Sequence, residues 1–97
     1  LPLADTRRLR LVGSLHLQPG PEGTAQVVDD RTFTAAHVNT SARILLEALR
    51  EPRTQEDLQA IFAKAADCSQ KETVGPVARL VEELVEYGWV EEVDGEA

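Results

Sequence analysis

The chain changes its hydrophobic period once, near residue 39, and that change limits the folds open to it. Residues 8–38 alternate with period two, whereas residues 40–87 repeat with a period near 3.6. Strands that all precede helices cannot build repeated strand–helix–strand crossovers. A segregated α+β architecture is therefore expected rather than a doubly wound sheet. Ninety-seven residues suffice for one modest core and not two, so residues 1–97 read as a single domain.

In the first half, Leu9, Leu11, Leu15 and Leu17 fall on one face and Arg8, Arg10, Ser14, His16 and Gln18 on the other. This predicts a first strand with a bend or bulge at Gly13. Pro19, Gly20, Pro21, Glu22 and Gly23 cannot hold a ladder and read as a loop. Residues 24–28 read as a second strand, Asp29, Asp30 and Arg31 as a tight turn, and residues 32–38 as a third strand. Short connections make the three an antiparallel meander. In the second half, Asn39 or Thr40 caps a helix that ends near Arg50, and Glu51, Pro52 and Arg53 break it. Thr54, with Asp57 three residues on, caps a second helix. Thr73 caps a third, with Pro76 in its first turn and Gly88 just past its end. Trp89, Val90 and Val93 form a short extended tail. The fold class expected is α+β, winged helix-turn-helix-like: a three-stranded antiparallel sheet followed by three helices. The ends, residues 1–7 and 94–97, are expected to be flexible. The start at Leu1, without a Met, fits a processed or excised chain.

Little in the chain suits catalysis. His16, His37 and Cys68 match no zinc or thiol-enzyme spacing. The glycines near Gly20 alternate with prolines and lead into no helix, so they do not make a phosphate loop. Adjacent acids such as Glu82 and Glu83 lack an environment that would raise one pKa. The chain is expected not to be an enzyme and to need no cofactor or metal. A lone cysteine suits a reduced, cytoplasmic setting. No apolar run approaches the roughly 18 to 20 residues of a membrane span, so no membrane partner is expected.

Two features point to binding instead. Along the third helix, Val74, Val77, Ala78, Leu80, Val81, Leu84, Val85 and Tyr87 cover an arc of about 180 degrees, where one neighbour needs only about 100. The third strand is a free edge with one Phe, two Ala and two Thr in residues 32–37 and no Lys or Pro to defend it. An extended peptide could add to it as a further strand. Four or five backbone hydrogen bonds at about 0.5 to 1.5 kcal/mol each do little more than offset the cost of ordering the peptide. Apolar anchors at about 1.5 to 3 kcal/mol each must supply the rest. The expected peptide-binding residues are Thr32, Phe33, Thr34, Ala35, Ala36 and His37 on the strand, with Val74, Val77, Ala78 and Val81 on the helix. The same edge could pair with a second copy of the chain to give a homodimer.

The run Ala36-His37-Val38-Asn39-Thr40-Ser41-Ala42-Arg43-Ile44-Leu45 resembles the strand-to-helix junction of PqqD-like proteins. Arg53-Thr54-Gln55-Glu56-Asp57-Leu58 is similar to that family's second-helix entry. Val77, Leu80, Leu84, Gly88, Trp89 and Val90 fit its closing helix and tail. The resemblance covers roughly residues 9–90 and implies a recognition element for the precursors of ribosomally synthesised, modified peptides (RiPPs). Such domains bind the leader region of a precursor beside strand three and against helix three. They present it to a modifying enzyme or a leader peptidase. The competing reading from element order is a winged-helix DNA-binding regulator. Residues 70–87 carry Lys71 and Arg79 against Glu72, Glu82, Glu83 and Glu86, a net charge of −2 on the would-be recognition helix. Phosphate neutralisation dominates DNA affinity, so no nucleic-acid partner is expected.

Overall fold

A computed structural model describes residues 8–93. Five strands and three helices follow in the order β1 (Arg8–Leu11), β2 (Leu15–Pro19), β3 (Ala25–Asp29), β4 (Thr34–Val38), α1 (Thr40–Ala48), α2 (Gln55–Ala66), α3 (Gln70–Glu86) and β5 (Val90–Val93). A single 3-10 turn, Pro21–Gly23, lies between β2 and β3. The expected α+β class holds: a three-stranded antiparallel sheet, β2-β3-β4, precedes three helices. The ends expected to be flexible lie outside the described residues.

The single first strand expected from sequence is two strands in two sheets. A turn at Gly13 and Ser14, closed by Leu15 N–H donating to the Val12 carbonyl at 3.1 Å, separates β1 from β2. β2 joins β3, while β1 pairs antiparallel with β5, Leu9 opposite Glu92 and Leu11 opposite Val90. The extended tail thus has a partner at the far end of the sequence. The other side of β1 is held too: Leu9 and Arg53 exchange backbone hydrogen bonds of 2.7 and 2.9 Å, and Leu11 N–H donates to Leu49 O at 2.9 Å. These fix the α1–α2 connection, where the Arg53 Nε also donates to Ala48 O at 3.1 Å.

The helix starts follow from side chains that accept otherwise orphaned N–H groups. Asn39 Oδ1 accepts from Ala42 N at 2.9 Å. Thr54 and Asp57 form a reciprocal capping box, as the sequence predicts. For α3 the expected cap is four residues late. Ser69 caps it, with Glu72 completing the box, and Thr73 is buried inside the first turn. The Thr73 hydroxyl donates to Gln70 O at 2.6 Å, and Gln59 O of α2 lies 3.3 Å away. Pro76 consequently stands in the second turn, not the first, where it removes the hydrogen bond that Glu72 O would accept. The helix ends as expected. Gly88 has φ 82°, Gly88 N–H donates to Val85 O at 2.9 Å and Trp89 N–H to Leu84 O at 3.1 Å. This paired arrangement satisfies the last carbonyls and needs the left-handed residue that glycine supplies.

The β3–β4 hairpin also departs from expectation. Asp29 is buried, and its Oδ1 accepts from the Ser14 hydroxyl at 2.8 Å and from Arg31 N at 2.9 Å. The Ser14 bond above all, helped by the Arg31 amide and guanidinium against the opposing effect of burial, holds the Asp29 carboxyl below its usual range. Tied down this way, the turn spends residues 30–33, so Thr32 and Phe33 belong to the turn and β4 starts at Thr34. Phe33 adopts φ 57° with its ring 92% exposed. A left-handed backbone strains a bulky residue, and here no burial offsets it. Phe33→Gly is therefore expected to raise stability by about 1 kcal/mol, a melting shift of roughly 4 °C or more in a domain this size. A melting temperature at or below that of the parent chain would count against the strain.

One core unites the layers. Leu15 and Val27 of the sheet, Leu45, Leu46 and Leu49 around α1, Leu58 of α2, and Val77, Val81 and Leu84 of α3 form a single buried cluster with Leu9 and Val90 of the ribbon.

Candidate functional site

β3 pairs with β2 on one side and β4 on the other, so β4 is a sheet edge. Among the described residues no strand pairs with its outer side. Its inward residues are Ala36 and Val38, which lie opposite the buried Val27 and Ala25 and are half-buried. Thr34, Ala35 and His37 are exposed. The expected binding set on this strand mixed both faces. Ala35 points away from the core, because side chains alternate and the register places Ala36 against Val27, while Phe33 stands exposed in the turn.

Beyond β4 lies an open groove of about 430 Å³. Ala36, His37 and Val38 form its strand wall, with Asn39 and Ala42 at the start of α1. The opposite wall is the C-terminal half of α3, through Leu80, Glu83, Leu84 and Tyr87, and Trp89 closes one end. The Tyr87 and Trp89 rings contact each other with centroids 4.8 Å apart and planes tilted by 48°. Tyr87 is 62% exposed, whereas Trp89 is half-buried and also packs against the core. The aromatic pair thus gives the groove an apolar wall with one ring open to solvent.

The four helix residues expected in the groove are not there. Val77 and Val81 are buried in the core, at 0% and 4% exposure. Val74 is 48% exposed and Ala78 half-buried, and neither lines the groove. The broad apolar arc of α3 is real, and both its margins reach solvent: Val74 and Val85 are exposed on one, while Leu80 and Tyr87 on the other line the groove beside β4. At 100 degrees per residue, Leu80 and Tyr87 sit about 120 to 140 degrees round the helix from Val74. The arc alone does not say which margin faces the strand; the exposed aromatic Tyr87 beside Trp89 was the available signal. His16 is on the outer sheet face, 2.7 Å from Asp30 Oδ2, and Cys68 is exposed after α2. Neither approaches the groove lining.

The backbone architecture has a counterpart among solved structures. The chain resembles a segment of the heterocyclase TruD. The superposition has a TM-score of 0.62 at 15% identity and covers 94% of this chain. It spans only 12% of the TruD chain. At that identity the TruD likeness establishes the fold and nothing finer. No family model matches the sequence, and no curated protein does.

Proposed function

We propose that the domain binds the leader region of a ribosomally made precursor peptide, as an added strand on β4 packed against the C-terminal half of α3. The observation that carries this reading is a free strand edge opening onto an apolar groove with an aromatic end wall. Backbone pairing with β4 sets register, and side chains seated on Val38, Leu80, Tyr87 and Trp89 supply most of the affinity. The PqqD-like motifs support the same role, as does the occurrence of this fold as a small part of a heterocyclase. In this reading the domain performs no chemistry. It holds the precursor while a modifying enzyme or leader peptidase acts, in the cytoplasm. No described helix is long and apolar enough to cross a membrane.

Titration of ¹⁵N-labelled chain with synthetic leader peptides, drawn from short open reading frames neighbouring its gene, tests the mode. Slowed amide exchange is expected in Thr34–Val38, with shifts at Leu80, Tyr87 and the Trp89 indole. Shifts confined to the outer sheet face or to the β1–β5 ribbon would sink the assignment. Tighter, salt-dependent binding to duplex DNA than to the leader would replace it with a nucleic-acid role.

A further inference from the structure

The groove continues past the end of β4. A second pocket of about 300 Å³ extends it along α3, walled by Ser41 at the start of α1, Phe62 of α2, and Pro76 and Arg79 of α3. Leu80 and Glu83 belong to both pockets, so Leu80 is a ridge between two hollows. The α3 residues of the second pocket are Pro76, Arg79, Leu80 and Glu83, and each has a counterpart four positions on in the first. The hollows are therefore offset by about 6 Å along the helix axis. Side chains at i and i+2 of an extended peptide share a face and stand about 6.6 to 6.8 Å apart. The two spacings match.

The character of the walls selects the side chains. Val38, Leu84 and Trp89 make the first hollow apolar, and Phe62 and Pro76 do so for the second. Glu83 borders both, is exposed, and has no ion pair among the described residues. The Arg79 guanidinium leans back over Gly75, where an added Cβ would lie 4.0 Å from Nη2. In the first hollow, which no Lys or Arg lines, the Glu83 carboxylate repels an acidic side chain; in the second, Arg79 offsets it.

We propose that α3 carries two subsites, one on each side of Leu80, for apolar side chains at positions i and i+2 of an extended peptide, with an acidic side chain disfavoured at the first, where Glu83 stands without Arg79. This rests on the peptide-binding reading above and specifies its ligand. The test is selection of random dodecapeptides displayed on phage, against the full chain and two variants. Ser41→Tyr fills the second hollow, with Arg79→Trp as the alternative from the opposite wall should the first not fold. Leu80→Glu places a carboxylate in both hollows. The full chain is expected to enrich apolar pairs two residues apart and to deplete acids at the position seated in the first hollow by about threefold or more, the scale of an exposed charge contact. Filling the second hollow is expected to retain one apolar preference and erase the other. A single apolar position, another spacing, or both preferences surviving in the filled variant would overturn the two-subsite proposal while leaving peptide binding intact. Failure of the full chain to enrich any peptide above the Leu80→Glu background would overturn peptide binding and this proposal together.

Discussion

Leu80→Glu is expected to weaken leader binding by about thirtyfold or more, corresponding to roughly 2 kcal/mol, while leaving the fold in place. Leu80 is half-buried, packs on the core from its edge and borders both hollows of the groove. Glutamate keeps the helix, because its intrinsic propensity is close to that of leucine. What changes is the ridge. A carboxylate replaces apolar contact for any side chain seated there, and it joins Glu83 three residues on, adding like charge. Anisotropy of a labelled leader measures the affinity, and far-ultraviolet circular dichroism with a thermal melt checks the fold. An unchanged affinity in a folded variant would remove α3 from the binding surface.

Val77→Glu, less than one turn away, is expected to abolish the cooperative unfolding transition at neutral pH. Val77 is fully buried among the leucines of the core. An unpaired carboxylate there costs several kcal/mol even after relaxation. A domain this small has only about 5 to 15 kcal/mol in all. Burial would raise the pKa of the new side chain, so part of the lost stability should return as pH falls and the group is neutralised. Val77→Ala is the milder companion, losing about 1.5 to 3 kcal/mol from two buried methyl groups and the space they leave. Urea melts of the three proteins check the ordering. A cooperative Val77→Glu melt close to that of the parent chain would show that the helix has been rotated wrongly. The contrast between positions 77 and 80 therefore reads out the orientation of α3.

That orientation is where sequence reasoning ran short. Helix positions and most caps were legible because they depend on local chemistry: Asn39, the Thr54–Asp57 pair and Gly88 each act within four residues of themselves. The start of α3 misled because Pro76 favours a first turn, which drew the boundary towards Thr73 and away from the Ser69–Glu72 box. The split of the first strand was invisible to periodicity. Leu9, Leu11, Leu15 and Leu17 stay in phase across Gly13, so only the pairing of β1 with β5 reveals two strands. The groove was half legible. A free edge at β4 follows from strand order, and its sequence shows no protection. Which margin of α3 faces that edge depends on helix rotation in the packed domain, and a wide apolar arc does not encode it.

The β1–β5 ribbon has a mechanical consequence. Arg8 lies opposite Val93, so the two strands enter and leave at the same end of the ribbon. Tension applied across those two residues would act along the interstrand hydrogen bonds, which lie perpendicular to antiparallel strands. The bonds would then open one at a time, like a zip, instead of resisting together in shear. The ribbon is thus a weak clasp under load, and the groove, built from β4 and α3, lies outside the clasp itself.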